Sequence, residues 1–535
     1  MGRSTITFAL GQGNSPGVLA NNDGISAFQF YGTGPGSFGT TACQAVFSLQ
    51  DAVNKGITND FADETKATAT IEWAPSSSLG TLAAGDVITI NVTEKKPNGT
   101  STVVTICTYT VVAGDVSDTT GDTLNTNITA AINSLSYLTS ANGTGYACPT
   151  PASGNTTSIK ARTGLGINLN SVDPVVTVSN SHTVPTTITA FTGGVYSKKA
   201  IWYYTISRFF AVNPNGKAWV QFTSSPGSNF AEVATLMNVA NGEPRQMAVL
   251  NFVSKTVSQV YPDLNALQTQ FTGLFAAYNP CEFLYVPNIS GVSDISTLYN
   301  LQTYGSAQNV TCVISQDGAA AGAQLYVNSG VSISNVGDIL GTASVAAVSQ
   351  DIGEVGAFNI SDGTENNIPA FTNGILVSSV ASSLLDTLDS YRYLFCVQYT
   401  GQPGTYINND WTSIIQTNAY NRISRNRTID KVLRQQYIAL LPLLKSRIYL
   451  NADGSMTQTT LDKYTAAAEP GIEQMVKDGD LSPGNISGTA LANGVVNISP
   501  TQNVQTQGYI AITYNLLAVD IADNINVTLQ FTQKL

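Results

Sequence analysis

The sequence predicts a multidomain α+β protein, and three observations point there. In the middle of the chain, short apolar runs of strand character alternate with stretches of helical periodicity. Ahead of them lies a long segment dominated by Thr, Ser, Asn, Gly and Val, with strand-like alternation and a strong hairpin signal. Behind them, two amphipathic helices give way to alternating strands. A length of 535 residues accommodates about three or four domains of ordinary size. We expect an N-terminal arm and the start of the core over 1–65, a β-rich inserted outer domain over 66–195, an α/β middle domain over 196–390, and a C-terminal core domain with a terminal strand arm over 391–535.

The leading segment carries Asn14-Ser15-Pro16-Gly17-Val18, an extended or turn signal, and then a Gly-rich stretch over 32–39; both oppose a helix. In the second segment Val87, Thr89, Asn91 and Thr93 alternate with the more apolar Ile88, Ile90 and Val92, so this run reads as a strand. Asn98-Gly99 marks a hairpin turn because both residues tolerate positive φ, and 101–112 returns as the partner strand. The helix of this segment is expected over 122–135, with Leu124, Ile128, Ala131, Ile132 and Leu135 on one face. Short strands follow near Ile159, at 175–177 and at 187–190.

Past Gly193-Gly194, strands are expected at 219–222, 247–250, 283–286 and 311–314, with helices at 229–240, 264–278 and 292–301 between them. Further helices are expected at 335–349 and 379–388, and a strand at 393–397. Then Ile429, Val432, Leu433, Gln436, Tyr437, Leu440, Leu441 and Leu444 recur at helical spacing, and Pro442 kinks or divides that helix. A second helix over 460–477 carries a candidate break at Pro470-Gly471. The period changes to two at 509–514 and again at 525–531. A terminal strand needs a neighbour for its backbone groups, and that neighbour can belong to another subunit.

Composition narrows the function. Charged residues make up 11% of the chain, well below the ~25% of an ordinary soluble domain, while 43% are apolar. A polar but weakly charged surface suits a large ordered assembly better than a lone monomer. A net charge of −11 argues against general nucleic-acid binding. The start of the chain has too short an apolar run for a signal peptide, Ile6 stands where myristoylation wants Ser or Thr, and no run reaches the ~20 apolar residues of a membrane helix. We therefore expect a protein made and kept in a cytoplasm, or released without ordinary secretion.

The residues for catalysis are sparse. Cys43, Cys107, Cys148, Cys281, Cys312 and Cys396 lack metal-ligand spacing and read as buried free thiols. His182 is the only histidine, which excludes a multi-histidine metal site; without a Gly-x-Ser-x-Gly elbow, it reads as a surface loop residue. Asp51, Asp60, Asp63 and Glu64 cluster in sequence, as do Asp317, Asp351 and Glu354 more loosely. A glycosidase would need two such carboxyls flanking a sugar, but no pair is marked out from solvated acidic surface. Gly32-Thr33-Gly34-Pro35-Gly36 lacks the last glycine of a dinucleotide loop, and Asn451-Ala452-Asp453-Gly454-Ser455 lacks the full ligand set of a calcium loop. We expect no catalytic, metal or cofactor-binding residues and no cofactor. The basic stretch of Arg422, Arg425, Arg427, Lys431, Arg434, Lys445 and Arg447 is read as a contact with the acidic face of an identical copy, where Glu469, Glu473, Asp478 and Asp480 are available.

Arg425-Asn426-Arg427-Thr428-Ile429-Asp430-Lys431-Val432-Leu433-Arg434, leading into Ala439-Leu440-Leu441-Pro442, resembles the core helix of contractile phage tail sheath proteins. The second helix and terminal strands resemble the rest of that core, and Pro16-Gly17-Val18 resembles the family's opening arm. Gly85-Asp86-Val87-Ile88-Thr89-Ile90, Val111-Val112-Ala113-Gly114-Asp115 and Phe191-Thr192-Gly193-Gly194-Val195 resemble a variable domain inserted in many sheath subunits. The resemblance implies a sheath-like core with α/β layers, extended N- and C-terminal arms, and an outer domain facing solvent. It implies a subunit stacked in six-fold rings around a tail tube, exchanging strands with identical subunits through its arms. Contraction would follow baseplate triggering and drive the tube through the host envelope. The implied partners are identical subunits and the tail tube, baseplate and tail terminator proteins, with no direct nucleic acid and no stable membrane insertion. The implied location is the virion, after assembly in a host cytoplasm, and no ATP or catalytic group is needed. Two other readings stay open: another virion or cell-surface structural protein of S-layer or adhesin type, suggested by the Thr/Asn-rich β segment, and a carboxylate-based glycosidase.

Overall fold

The structure is a computed structural model and describes residues 22–73, 80–135, 144–149, 154–184, 186–227, 229–304, 306–523, 525 and 527. The expected opening arm with Pro16-Gly17-Val18, and the expected strand over 525–531 apart from Ile525 and Val527, lie outside them.

Along the chain, β1 (Ser26–Tyr31) and β2 (Cys43–Val46) precede an inserted unit that holds β3 (Thr68–Trp73), β4 (Val87–Lys95), β5 (Ser101–Thr110), β6 (Thr156–Lys160), β7 (Val175–Val178) and β8 (Thr186–Thr192). After it come β9 (Ala218–Thr223), β10 (Gln246–Ser254), β11 (Glu282–Asn288), β12 (Val310–Val313) and β13 (Tyr393–Leu394). Seven of these form one sheet in the order β13-β12-β11-β10-β1-β9-β2. Every neighbouring pair is parallel except β2 with β9. Such a sheet is covered on both faces, so its strands are apolar on both sides. In β1, Ala27 and Tyr31 enter one core layer while Phe28 and Phe30 enter the other. This run lacks the period-two contrast that marks a half-exposed strand, so the sequence showed only the start of the core where an interior strand lies between β10 and β9.

The helices Glu232–Val239 and Val257–Ala276 cover one face with Val233, Leu236, Leu264, Leu267 and Phe271. The other face is covered by Lys198–Val212 and Val336–Val345, through Trp202, Ile206, Phe209, Ile339 and Leu340. These last two helices lie close enough that a Cβ on Gly337 would stand 2.1 Å from the Thr205 carbonyl oxygen, and one on Gly341 3.1 Å from that of Phe209. The helix Lys198–Val212 has no counterpart in the sequence reading. It is apolar nearly all round, so no amphipathic stripe announces it. The Ser197 hydroxyl caps it by accepting from the Ala200 amide at 3.1 Å.

The inserted unit follows the sequence closely. Two antiparallel three-stranded sheets, β6-β3-β8 and β5-β4-β7, share a core with the helix Asp122–Ser134. Ile88, Ile90 and Val92 of β4 and Leu124, Ile128 and Ile132 of the helix are wholly buried there. Asn98 and Gly99 turn the β4–β5 hairpin at φ of 62° and 70°. A bridge between Thr65 and Val195 closes the neck of the unit. Asn328 of the main body grips it: its Nδ2 donates to the Gly164 carbonyl at 2.6 Å, and its Oδ1 accepts from Asn168 at 2.7 Å.

Two expectations need correction. The helix expected over 292–301 is instead a 3₁₀ turn, Ile295–Thr297, followed by the short helix Leu301–Tyr304. The Asp294 carboxylate accepts from the Ser296 amide at 2.9 Å and turns the chain, and Ile295, Leu298 and Leu301 enter the core at intervals of three. The break expected at Pro470-Gly471 does not occur, and one helix spans Gln458–Lys477. Next to that proline, Gln436 Nε2 donates to the Ala468 carbonyl at 3.0 Å and supports the turn. Pro442 does end the preceding helix, Ile423–Leu440, in a 3₁₀ turn, Leu441–Leu443. The two helices pack around Val432, Ile472 and Met475, beside a small antiparallel pair of Val496–Asn497 with Thr513–Tyr514. The main sheet itself runs past residue 391, since β13 pairs with β12 and Cys396 and Ile407 join its core.

Candidate functional site

The helix Ile423–Leu440 is seated polar side inward. Ser424, Asn426, Arg427, Thr428 and Asp430 are buried against the amino ends of the sheet strands. Asn426 Nδ2 donates to the Gln308 carbonyl just ahead of β12. Arg427 donates to the carbonyls of Ala346 and Ala347 at 3.2 and 3.3 Å. Asp430 faces Glu282, the first residue of β11, and burial pushes both carboxyls up. Asp430 rises to about 7 against the pull of Arg434. Glu282 is lifted well above its ordinary value, by burial and then by the charge of Asp430. The pair therefore retains a proton near neutral pH.

Arg422, just before the helix, is 3% exposed and gathers acids. Its Nη1 lies 2.8 Å from Asp410 and 3.3 Å from Asp351, and its Nη2 binds both oxygens of Asp523 at 2.5 and 2.6 Å. The guanidinium carbons of Arg392 and Arg422 stand 3.8 and 3.9 Å from the ring centroid of Trp411. Farther along, Lys431 pairs with Asp23 at 3.0 Å and Asp480 at 2.6 Å, and Arg434 with Asp23 at 2.7 Å. Burial alone would raise Asp23, but Arg434 and Lys431 hold its carboxyl below the usual range. Arg425 reaches Asp520 at 2.8 Å. The basic stretch was expected to meet the acids of a neighbouring copy. Arg422, Arg425, Lys431 and Arg434 instead meet acids of their own chain, Asp480 among them, Arg427 meets backbone carbonyls, and Lys445 and Arg447 are the exposed remainder.

The outward side is apolar. Ile438 is 71% exposed, Leu444 70% and Leu441 48%. Tyr437 stacks on Tyr278 with centroids 4.2 Å apart and planes 18° from parallel. Beside this row runs an open groove of about 650 Å³ lined by Ile429, Leu433, Leu440, Tyr514 and Leu516.

The other candidates sit elsewhere and act locally. His182 is half-buried rather than a free surface residue, with Nδ1 2.7 Å from Asp86 Oδ2; Asn180 and His182 hold the Asp86 carboxyl below its usual range. All six cysteines are buried free thiols. Asp51 pairs with Lys55 at 2.8 Å, Asp60 with Lys199 at 3.4 Å, Asp63 accepts from the Lys198 amide at 2.9 Å, and Glu64 from the Gly164 amide at 2.7 Å. Asp317 accepts from the Ala320 amide at 2.7 Å, Glu354 from Gln350 at 2.7 Å, and Asp351 alone of that group reaches Arg422. The glycines after β1 lead into a 3₁₀ turn, Gly36–Gly39, and then into antiparallel β2, so no helix opens on them. Asp453 Oδ1 accepts from the Ser455 amide and hydroxyl at 3.0 and 2.6 Å, which makes that motif a turn. Among the described residues no group of three or more His, Cys, Asp or Glu is placed to hold a metal ion, and no helix is long and apolar enough to cross a membrane.

Sequence reasoning missed Glu282 and Asp23 as partners of this helix because they are remote from it in sequence, and Asp410 and Trp411 because an irregular loop, not a regular spacing, brings them back to it. One local signal was available: Ser424, Asn426 and Thr428 are weak helix formers, poor choices for a solvated face and small enough to bury.

Comparison with curated proteins gives no match. Among solved structures, a chain of the cryo-EM structure of the anti-feeding prophage baseplate, 6-fold symmetrised, resembles this one at 14% identity and a TM-score of 0.40, over 62% of this chain and 80% of that one. Comparison with protein families matches the DUF2586 N-terminal domain to residues 77–410 and the DUF2586 C-terminal domain to residues 420–535. The seam between the two matches falls in the loop that begins at Trp411 and runs up to Arg422. The two domains of one family thus cover most of the sequence in order, and the chain belongs to the DUF2586 family.

Proposed function

We propose that the chain is a structural subunit of a contractile tail sheath, polymerising as stacked six-fold rings around a tail tube and contracting to drive the tube through a host envelope. The observation that carries this reading is the exposed apolar row of Tyr437, Ile438, Leu441 and Leu444, which runs from the last turn of a helix whose polar side is buried through the 3₁₀ turn beyond it. Such a row is a liability for a lone subunit and a ready contact in a polymer. Each side chain fully covered by a partner would contribute on the order of 1.5–3 kcal/mol before ordering costs. The sequence resemblance of this same helix to the sheath core supports the reading.

In this role the partners are identical subunits, the tube protein, and the baseplate and terminator proteins at the two ends, in a virion assembled in the host cytoplasm. The terminal arms would contact adjacent subunits, and the inserted unit would face outward. The protein acts by assembly and rearrangement, not by catalysis.

Negative-stain imaging of the purified chain with its tube protein tests the proposal, and a hollow sleeve is the expected result. The double variant Ile438→Asp, Leu444→Asp should stay monomeric with an unchanged circular dichroism spectrum. A wild-type chain that sediments only as monomer at high concentration, tube protein included, would refute the reading. Turnover of a glycan panel, abolished by one Asp or Glu substitution, would assign an enzyme instead.

A further inference from the structure

Residues 518–523 run as a strap across the seam between the sheet and the C-terminal helices. Three points fasten it: a bridge between Leu481 and Ala518, the Asp520–Arg425 pair, and the grip of Arg422 on Asp523. Arg422 cannot follow the strap into solvent. Its Nη1 also donates to Asn409 Oδ1 and Asp410 Oδ1, both at 2.8 Å, and its guanidinium lies against Trp411. One guanidinium therefore faces three carboxyls. Asp410 is fixed, since its Oδ2 accepts from the Ser424 amide and hydroxyl at 3.0 and 2.6 Å. Asp351 is fixed too, its Oδ1 accepting from the Gly353 amide at 2.6 Å. Asp523, 34% exposed, is the member that can leave. A cleft of about 660 Å³ bordered by Asp351, Asn409 and residues 519–523 gives the strap room to lift.

We propose that this strap is a proton-linked latch in which Asp351 and Asp523 compete for Arg422: it is fastened while Asp351 carries a proton and loosens when that proton passes to solvent. Burial and then the charge of Asp410 lift Asp351 to about 7, and Asp523 adds to the lift. The remaining groups around the cluster are Arg392 beyond Trp411, Asp389 bonded to Trp411 Nε1 and Asn408, and Asp520, Glu354 and Tyr399 around the cleft. With the strap away, Asp351 loses a repelling neighbour and keeps Arg422, so its proton is held less tightly. The fastened form thus binds more protons, and fastening weakens as pH rises toward about 7 and levels off above it, by at most about tenfold per pH unit for one proton. The latch stands whether or not the chain builds a sheath.

Hydrogen exchange of the peptide covering 518–523, followed by mass spectrometry on the full chain from about pH 5 to 8 and corrected for intrinsic exchange, reads the latch directly. Wild-type protection should fall as pH rises toward about 7 and level off above it. Asp351→Asn, neutral at every pH, should keep protection high and flat. Asp523→Asn, at a partly exposed position that leaves the body folded, should lower protection at all pH values and remove its dependence on pH. Wild-type protection that ignores pH, an Asp351→Asn variant that tracks wild type, or a pH response that survives in Asp523→Asn would each overturn the proposal.

Discussion

The helices Lys198–Val212 and Ile423–Leu440 both pack against the parallel sheet, yet they treat their side chains in opposite ways. The first is apolar nearly all round and is covered by the sheet on one side and the Val336–Val345 helix on another. Its one buried cation, Arg208, is answered by Asp338 at 2.7 Å and by Asp362. The second turns Arg427, Asn426 and Asp430 inward and leaves Ile438, with Leu441 and Leu444 of the turn that follows it, in water. Apolarity predicts that something covers a side chain, not that the same chain does. For Phe209 the cover is present; for Ile438 it has to come from outside. That contrast is why the C-terminal helix, and not the more apolar one, is the candidate contact surface.

Three experiments can break or sharpen the contrast. Phe209→Ala removes a wholly buried ring from the first helix and should cost about 3–5 kcal/mol in urea unfolding. A loss below about 1 kcal/mol would mean that this helix is not core.

The second experiment concerns the buried carboxyl pair under the other helix. Asp430 has a folded value of about 7, above its unfolded value near 4, so the folded state holds the proton more tightly. Its contribution is fully present at acid pH and is lost as pH climbs from about 4 to about 7, on the order of 1 kcal/mol per pH unit. Asp430→Asn removes that slope. Wild type should lose melting temperature relative to the variant between about pH 5 and 7, and parallel curves would count against a buried, protonated pair.

The smallest effect belongs to Ile438→Ser, which should change the isolated chain by no more than about 0.5 kcal/mol. A larger loss in the monomer would show that the chain itself covers this residue, and the two helices would then be alike.

Legibility followed contrast and locality. The hairpin of β4 and β5 could be read because Ile88, Ile90 and Val92 alternate with polar neighbours and because Asn98-Gly99 announces the turn. The helix Asp122–Ser134 showed through the spacing of Leu124, Ile128 and Ile132. By comparison, β1 and Lys198–Val212 were hidden by being buried on nearly every side, since polar residues such as Gln29, Thr205 and Arg208 are buried with the apolar ones and give the pattern no phase. At the candidate site the helix and its apolar row were legible, and the partners of its charges were not. Arg422 and Asp523 lie too far apart in sequence for any local rule to join them.

What the sequence determined alone was a mixed α+β chain, its alternating strands and amphipathic helices, and a chemistry too sparse in histidine and phosphate-loop glycines to advertise an enzyme. Those features depend on neighbours a few residues apart, where backbone geometry and side-chain period act directly. Only the tertiary structure decided that β1 lies inside the sheet between β10 and β9, that most of the basic stretch answers acids of its own chain, and that the C-terminal helix faces outward with its apolar side. Burial and ion pairing depend on which distant segments meet, and the same arginine that would bind a partner on an open surface is neutralised once Asp410 and Asp523 are folded beside it.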